Sequence, residues 1–129
     1  MSRAIDWKDL QNVWETTPDI VAVWAFGSAQ EGELRPGSDV DIGVLMARPP
    51  SFDDQLDLLG RLQDALRLDE VDLVVLNDAS AVLRFEAVSG RRLFCRDLPA
   101  LAEFQSLTAR EYEDEMAQYE QAMRLRGLP

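Results

Sequence analysis

Short apolar runs alternate with polar, turn-forming segments along the chain, and this pattern predicts a mixture of strands and helices. The run at residues 20–26 is β-branched and aromatic, as buried strands are. Residues 39–46 predict a second strand, and residues 71–76 and 91–95 predict two more. A proline-glycine turn signal separates the first two strands, which we therefore expect to lie side by side.

Apolar residues at helical spacing predict two helices in the first half of the chain. Trp7, Leu10 and Trp14 share one face of a first helix over roughly residues 4–15, and we expect both tryptophans in the core. A second helix ends before Asp69. Its apolar stripe consists of Leu56, Leu59, Leu62 and Leu66.

The second half of the chain predicts a third helix and a long C-terminal helical segment. The third helix covers residues 79–88, with Asn77 and Asp78 as capping residues and Gly90 as its end. From Asp97, which we expect to cap the segment, no helix breaker occurs until Gly127. This segment forms one long helix or two shorter ones, and its early apolar residues, Leu101, Phe104 and Leu107, can close the core.

Four large residues further along this segment form a narrow stripe flanked by acidic and polar residues. They are Tyr112, Met116, Tyr119 and Met123. Such a seam could dock a helix of another protein, or it could pack on its own domain. The pattern leaves both interpretations open.

These elements predict an α/β fold, in which a small mixed β-sheet is packed with helices. The 129 residues suffice for one core and hold no linker-like tract, so we expect one domain over residues 1–129. Neither a signal peptide nor a membrane-crossing apolar stretch is recognisable, and a cytoplasmic protein is expected. The single cysteine, Cys95, lies in an apolar stretch and is expected to be a buried, inert thiol.

The charge of the chain limits its partners. The formal net charge is −11, with 13 basic and 24 acidic residues, which argues against direct nucleic-acid binding. The acidity suits a basic protein partner, but it also suits a solvated surface that keeps the chain soluble. Charge alone does not decide between these two roles.

Candidate chemistry begins at Gly27-Ser28, which ends the first strand as a strand-to-helix turn. A glycine lets the backbone approach a ligand closely. The free N–H groups that open a short following helix, together with the Ser28 hydroxyl, offer donors to phosphate oxygens. This turn therefore predicts a cradle for a triphosphate.

Two acids, Asp39 and Asp41, follow on the next strand and project from the same face because strand side chains alternate. At about 4 Å their carboxylates repel by roughly 4 kcal/mol at an effective dielectric near 20, so the pair is expected to share a cation or a proton. The chain has no histidine, and carboxylates beside phosphates suit magnesium.

A third acid, Asp72, interrupts the apolar strand at residues 71–76. If that strand neighbours the Asp39 strand, Asp72 completes a three-carboxylate cluster, as a metal ligand and as a base for an attacking hydroxyl. Asp69 and Glu70 are the alternatives, but they lie in the loop before the strand.

Residues 25–45 resemble the signature of the nucleotidyltransferase superfamily, a Gly-Ser pair followed by a spaced Asp-x-Asp. The residues that match it are Gly27, Ser28, Asp39 and Asp41. The third family carboxylate is expected at Asp72. The small size of the chain resembles the minimal nucleotidyltransferases, the MNT antitoxins encoded beside HEPN ribonuclease toxins.

The resemblance implies an enzyme that moves AMP from ATP to a tyrosine hydroxyl of the partner toxin and so silences the toxin. For the mechanism, we expect two magnesium ions on the three acids. The chain departs from many relatives at Glu31, which puts a negative charge near the phosphates. Arg35 could offset phosphate charge, although a loop arginine is usually solvated. The alternatives are an antitoxin that acts by binding alone, transfer to a small molecule, and a homodimeric interaction module. Homo- and hetero-oligomers both remain open.

Overall fold

Four strands form the central sheet, and helices cover both of its faces. The structure is a computed structural model that describes residues 2–128. The strands are β1 (Arg3–Ala4), β2 (Ile20–Phe26), β3 (Glu33–Leu34), β4 (Val40–Met46), β5 (Val71–Val75) and β6 (Arg91–Cys95). The helices are α1 (Gln11–Glu15), α2 (Phe52–Leu66), α3 (Ala81–Val88) and α4 (Leu98–Leu125).

The central sheet has the strand order β5-β4-β2-β6. The β4 and β5 strands are parallel, whereas β2 pairs antiparallel with both β4 and β6. The two short strands β1 and β3 form a separate antiparallel pair. The mixed sheet with flanking helices confirms the predicted α/β fold class.

The core lies on both faces of this sheet because β2 and β4 are apolar on both sides. On one face Leu10 and Trp14, together with Leu58 and Leu62 of α2, pack against alternate residues of β2 and β4. On the other face Leu76 and the helices α3 and α4 cover Trp24 and its neighbours. The strand ends that carry the site are therefore held by helices from both sides.

Several predicted elements are confirmed. The β2 strand covers the predicted range, and β6 begins and ends as predicted. Asp97 caps α4 by accepting a hydrogen bond from the backbone N–H of Ala100 at 3.1 Å. Of the two alternatives for the C-terminal segment, one long helix is correct.

Other boundaries differ from the prediction. The first helix does not begin at residue 4; a 3-10 turn starts at Trp7 and leads into α1. Trp14 is fully buried, but Trp7 is only half-buried. Ser80, rather than the predicted Asn77 and Asp78, caps α3. The side chain of Asn77 instead bonds both backbone groups of Met46, at 2.9 and 2.8 Å.

Three apolar residues are less buried than expected. Leu56 and Leu107 are exposed, because the helices present their neighbouring apolar residues to the sheet instead. Cys95 is half-buried on the edge strand β6. No helix within the described residues is long and apolar enough to span a bilayer.

Candidate active site

The Gly27-Ser28 turn directly follows β2, as the sequence predicts. Gly27 has a φ of 72°, in the left-handed region that favours glycine. The short helix predicted after Ser28 is a single 3-10 turn, Gly27–Ala29, in which Gly27 and Ser28 are exposed. A turn this short contributes no appreciable helix dipole, so any phosphate binding here would depend on local N–H groups and the Ser28 hydroxyl.

Gly27 lies directly against Asp41. The β2–β4 register pairs Phe26 with Asp41, which brings the residue after Phe26 to the carboxylate. A Cβ atom built on Gly27 would overlap Oδ2 of Asp41. The glycine therefore allows the backbone of the turn and a carboxylate of β4 to share one small space.

Asp72 reaches the same end of the sheet from β5. Because β4 and β5 run parallel, Asp41 and Asp72 lie opposite each other in register. The two strands are thus neighbours, which is the condition on which the role of Asp72 depends. Asp72 is exposed on an edge strand, which avoids the cost of burying a lone carboxylate. Asp69 and Glu70 remain in the exposed loop before β5.

Asp39 precedes β4 by one residue and is exposed. It follows a turn in which the backbone N–H of Ser38 donates to the carbonyl of Arg35 at 3.1 Å, with Gly37 at a φ of 80°. Proline followed by glycine at positive φ is typical of a type II turn. The turn thus brings Asp39 to the strand end that carries Asp41.

The pKa of Asp41 is raised above its ordinary value. Partial burial is the largest cause, followed by the negative charges of Asp72, Asp39 and Glu86. These charges disfavour a further negative charge on Asp41. Asp41 is therefore a half-buried carboxylate with three other acids close enough to affect its pKa.

Glu86 is a member of this cluster that the sequence analysis missed. It lies on α3, which packs against β2, and its side chain is exposed. No motif marks it, because its position beside Asp41 arises only from the way α3 packs on the sheet.

The donor chemistry of the site fits magnesium, since Asp39, Asp41 and Asp72 offer hard oxygen ligands to a cation. Burial and, after it, the repulsion from neighbouring acids raise the pKa of Asp41, and a divalent cation would relieve that repulsion. Within residues 2–128, however, no group of three acidic, histidine or cysteine side chains already has the spacing of a metal site. The carboxylates would have to converge further around an ion.

An open cavity of about 430 Å³ adjoins the Gly27 turn. Its walls come from the turn after β2, from α3 and the residues after it, and from α4. Lining residues include Gly27, Gln30, Phe85, Glu86, Gly90 and Tyr112. A second cavity, of about 510 Å³, lies near the other end of β4, around Met46 and Arg61, and contains none of the predicted site residues.

Tyr112 separates from the rest of the predicted helical stripe. Its ring stacks on Phe85 of α3, with the centroids 4.0 Å apart and the planes 9° from parallel. Met116, Tyr119 and Met123, which we call the distal stripe, lie on a part of α4 in which no described residue is buried. Tyr119 is 61% exposed.

The chain is similar to known proteins both in sequence and in structure. Residues 8–98 match the family model described as polymerase beta, nucleotidyltransferase. This match includes the Gly27 turn and all three predicted acids. A comparison with curated proteins found no match.

Solved structures of toxin–antitoxin complexes contain similar chains. One, a complex with AMP-PNP, has 25% identity and a TM-score of 0.78, with 93% of this chain and 97% of that chain covered. A substituted MntA-HpeT complex has 30% identity and a TM-score of 0.71, with 91% and 90% covered. An MNT antitoxin bound to the tri-AMPylated HEPN toxin of Shewanella oneidensis has 26% identity and a TM-score of 0.67, with 91% and 88% covered.

Proposed function

Because this chain belongs to the polymerase beta-type nucleotidyltransferase family, we propose that it is an antitoxin enzyme. It transfers AMP from ATP to a tyrosine hydroxyl of a partner HEPN ribonuclease toxin and so silences the toxin. The observation that carries the proposal is the register of Asp41 with Asp72 beside Gly27. The nucleotide and the protein acceptor are supported by the AMP-PNP complex and the tri-AMPylated toxin of similar antitoxin chains.

The proposed binding roles follow from the chemistry of each group. Backbone N–H groups of the turn at Gly27 and the hydroxyl of Ser28 donate hydrogen bonds to the phosphates of ATP. Asp39, Asp41 and Asp72 would hold magnesium, for which we propose two ions. Magnesium, when bound, supplies positive charge next to the phosphate oxygens. It would also offset the repulsion among the carboxylates themselves.

Asp72 is the proposed base. It is exposed at the sheet edge, so a hydroxyl from a partner protein can reach it. Its carboxylate accepts the tyrosine proton while the tyrosine oxygen forms a bond to the α-phosphorus. The bond from the α-phosphorus to the oxygen that bridges it to the β-phosphate breaks, and pyrophosphate leaves.

The test mixes the chain with ATP labelled at the α-phosphate, magnesium and the product of the adjacent reading frame. We expect label on a tyrosine of that partner, and we expect Asp39→Asn and Asp41→Asn each to abolish the transfer. Asp64→Asn is the matched control, because it removes one exposed carboxylate of α2 that is not among the acids acting on Asp41.

If both Asp39→Asn and Asp41→Asn still neutralise the toxin, and no label appears on the partner, the proposed enzymatic activity is contradicted. This result would favour an antitoxin that acts by binding alone. Label that appears on a small molecule rather than on the partner would contradict the proposed acceptor.

A further inference from the structure

The cavity beside Gly27 touches the carboxylate cluster at two points. Gly27 lines the cavity and also lies against Asp41. Glu86 lines the cavity and contributes to the field at Asp41. A ligand with its phosphates at the Gly27 turn would therefore have this cavity next to it.

One wall of the cavity is aromatic. Phe85 and Tyr112 line the cavity there, and their rings form a nearly parallel stacked pair. Both residues are half-buried, so part of the pair is covered and part faces the open space. Stacking of a nucleobase on an aromatic side chain contributes about 1–3 kcal/mol per base.

The wall is held in place by contacts between α3 and α4. Arg84, next to Phe85, forms an ion pair with Glu111, next to Tyr112, at 3.5 Å. The guanidinium of Arg84 also lies 5.4 Å from the ring centroid of Phe104. A platform that is already ordered costs less entropy when a ligand binds.

The remaining lining is polar and small. Gly90 contributes backbone, and a Cβ there would overlap the carbonyl oxygen of Ala25. Gln30, Glu86 and Ser89 offer hydrogen-bonding groups at the rim. A volume of about 430 Å³ with one apolar wall and a few polar groups is typical of a small-ligand site.

We infer that this cavity holds the base of the donor nucleotide, stacked on the Phe85–Tyr112 pair. The inference rests on the proposed function, because it takes the phosphates to lie at Gly27. Every nucleobase has a flat face that can stack, so the aromatic pair contributes affinity for the base and not selection among bases.

The binding test uses calorimetry on the full chain with ATP and with inorganic tripolyphosphate. Tyr112→Ala should weaken ATP binding about 5- to 100-fold, the loss of one stacking contact, and leave tripolyphosphate binding unchanged. Tyr112→Phe should keep the wild-type affinity for ATP. Phe52→Ala is the matched control, because it removes an aromatic ring that is 72% exposed on α2.

Wild-type protein gives an independent result that does not depend on folding of a variant. Photocrosslinking with 8-azido-ATP should label a peptide that contains Phe85 or Tyr112. Labelling confined to other peptides, or an ATP affinity unchanged by Tyr112→Ala, would overturn the inference. Equal losses for ATP and tripolyphosphate would also overturn it, since α4 would then be acting on the phosphates.

The two proposals fail separately. If ATP binds through the aromatic pair but no AMP reaches a protein, the inference stands and the proposed function fails. If AMP is transferred to the partner, and Tyr112→Ala changes neither this transfer nor the affinity for ATP, the function stands and the base site fails.

Discussion

Gly27 and Asp41 meet in a space that has room for a carboxylate but not for a second side chain. The glycine also has a backbone conformation that other L-residues adopt only at a cost. At the residue scale, two features constrain the turn. They are the positive φ of Gly27 and the carboxylate of Asp41 on the neighbouring strand β4.

We expect Gly27→Ala to reduce AMP transfer about 100-fold, because the new methyl group displaces Asp41 from its position. The left-handed conformation adds a stability cost of about 1–2 kcal/mol. Transfer rates and urea unfolding measure the two effects.

Gly127→Ala is the matched control for this change. Gly127 has the same positive φ as Gly27, 72°, but a Cβ there meets nothing within 4 Å. It should keep the wild-type rate of transfer. Equal rates for the two variants would show that displacement of Asp41 is not what matters at Gly27.

A second residue-scale prediction concerns pH. Folding raises the pKa of Asp41, so the folded chain holds this proton more tightly than the unfolded chain does. The stability that protonation contributes is therefore present at low pH and is lost as pH rises through the folded-state pKa. Without magnesium, Asp41→Asn should raise the melting temperature at pH 7, and the gain should shrink as pH falls towards 3.8.

Thermal melts of both proteins across this pH range check the prediction, with Asp64→Asn controlling for the loss of one negative charge. Magnesium with ATP should reverse the order by stabilising the wild-type chain more than Asp41→Asn. A wild-type chain that melts higher than Asp41→Asn at pH 7 without magnesium would contradict the electrostatic account.

At the scale of elements, α4 has two parts with different surroundings. Its 28 residues extend about 42 Å. Leu101, Thr108 and Tyr112 pack on the sheet side or on α3. The distal stripe follows, on a part of the helix with no buried residue among those described. Tyr119 of this stripe is exposed and its two methionines are half-buried, and an apolar stripe outside the core suits docking of a partner.

We expect Tyr119→Ser combined with Met123→Ser to weaken binding of the HEPN partner at least about 30-fold, as loss of a hot spot does. Circular dichroism and melting temperature should change little, because the stripe contributes little to the core. Titration of the partner measures the affinity.

Ala117→Ser combined with Gln121→Ser is the control on the opposite face of the same helix segment. An affinity unchanged by the stripe variant would exclude the distal stripe as the docking surface. An equal loss in both variants would point to the helix end as a whole.

For the whole molecule, the net charge of −11 and a pI near 4.3 dominate its long-range interactions. The proposed partner is a ribonuclease, which needs positive charge to hold RNA, so we expect the acidic chain to be attracted to it before contact. Opposite charges accelerate association, and salt screens them.

The association rate with the HEPN partner should therefore fall about tenfold between 50 and 500 mM salt, while the dissociation rate changes less. Stopped-flow or surface-based kinetics separate the two rates. An association rate that does not respond to salt would leave solubility as the role of the charge.

The sequence alone determined the elements whose formation is local. β2 and β6 follow from apolar runs, and the Gly27 turn and the turn before Asp39 follow from residues with few allowed conformations. The choice of Gly27, Ser28, Asp39 and Asp41 as candidate site residues came from a spaced motif along the chain. Asp72 was chosen as a lone acid in an apolar strand.

Only the tertiary structure decided which surfaces meet. The parallel register of Asp41 with Asp72, the approach of Glu86 and the stacking of Tyr112 on Phe85 all join residues that are far apart in sequence. Periodicity gives each element an apolar face, but it does not say which neighbour covers that face. For the same reason it could not predict that Leu56 and Leu107 are exposed.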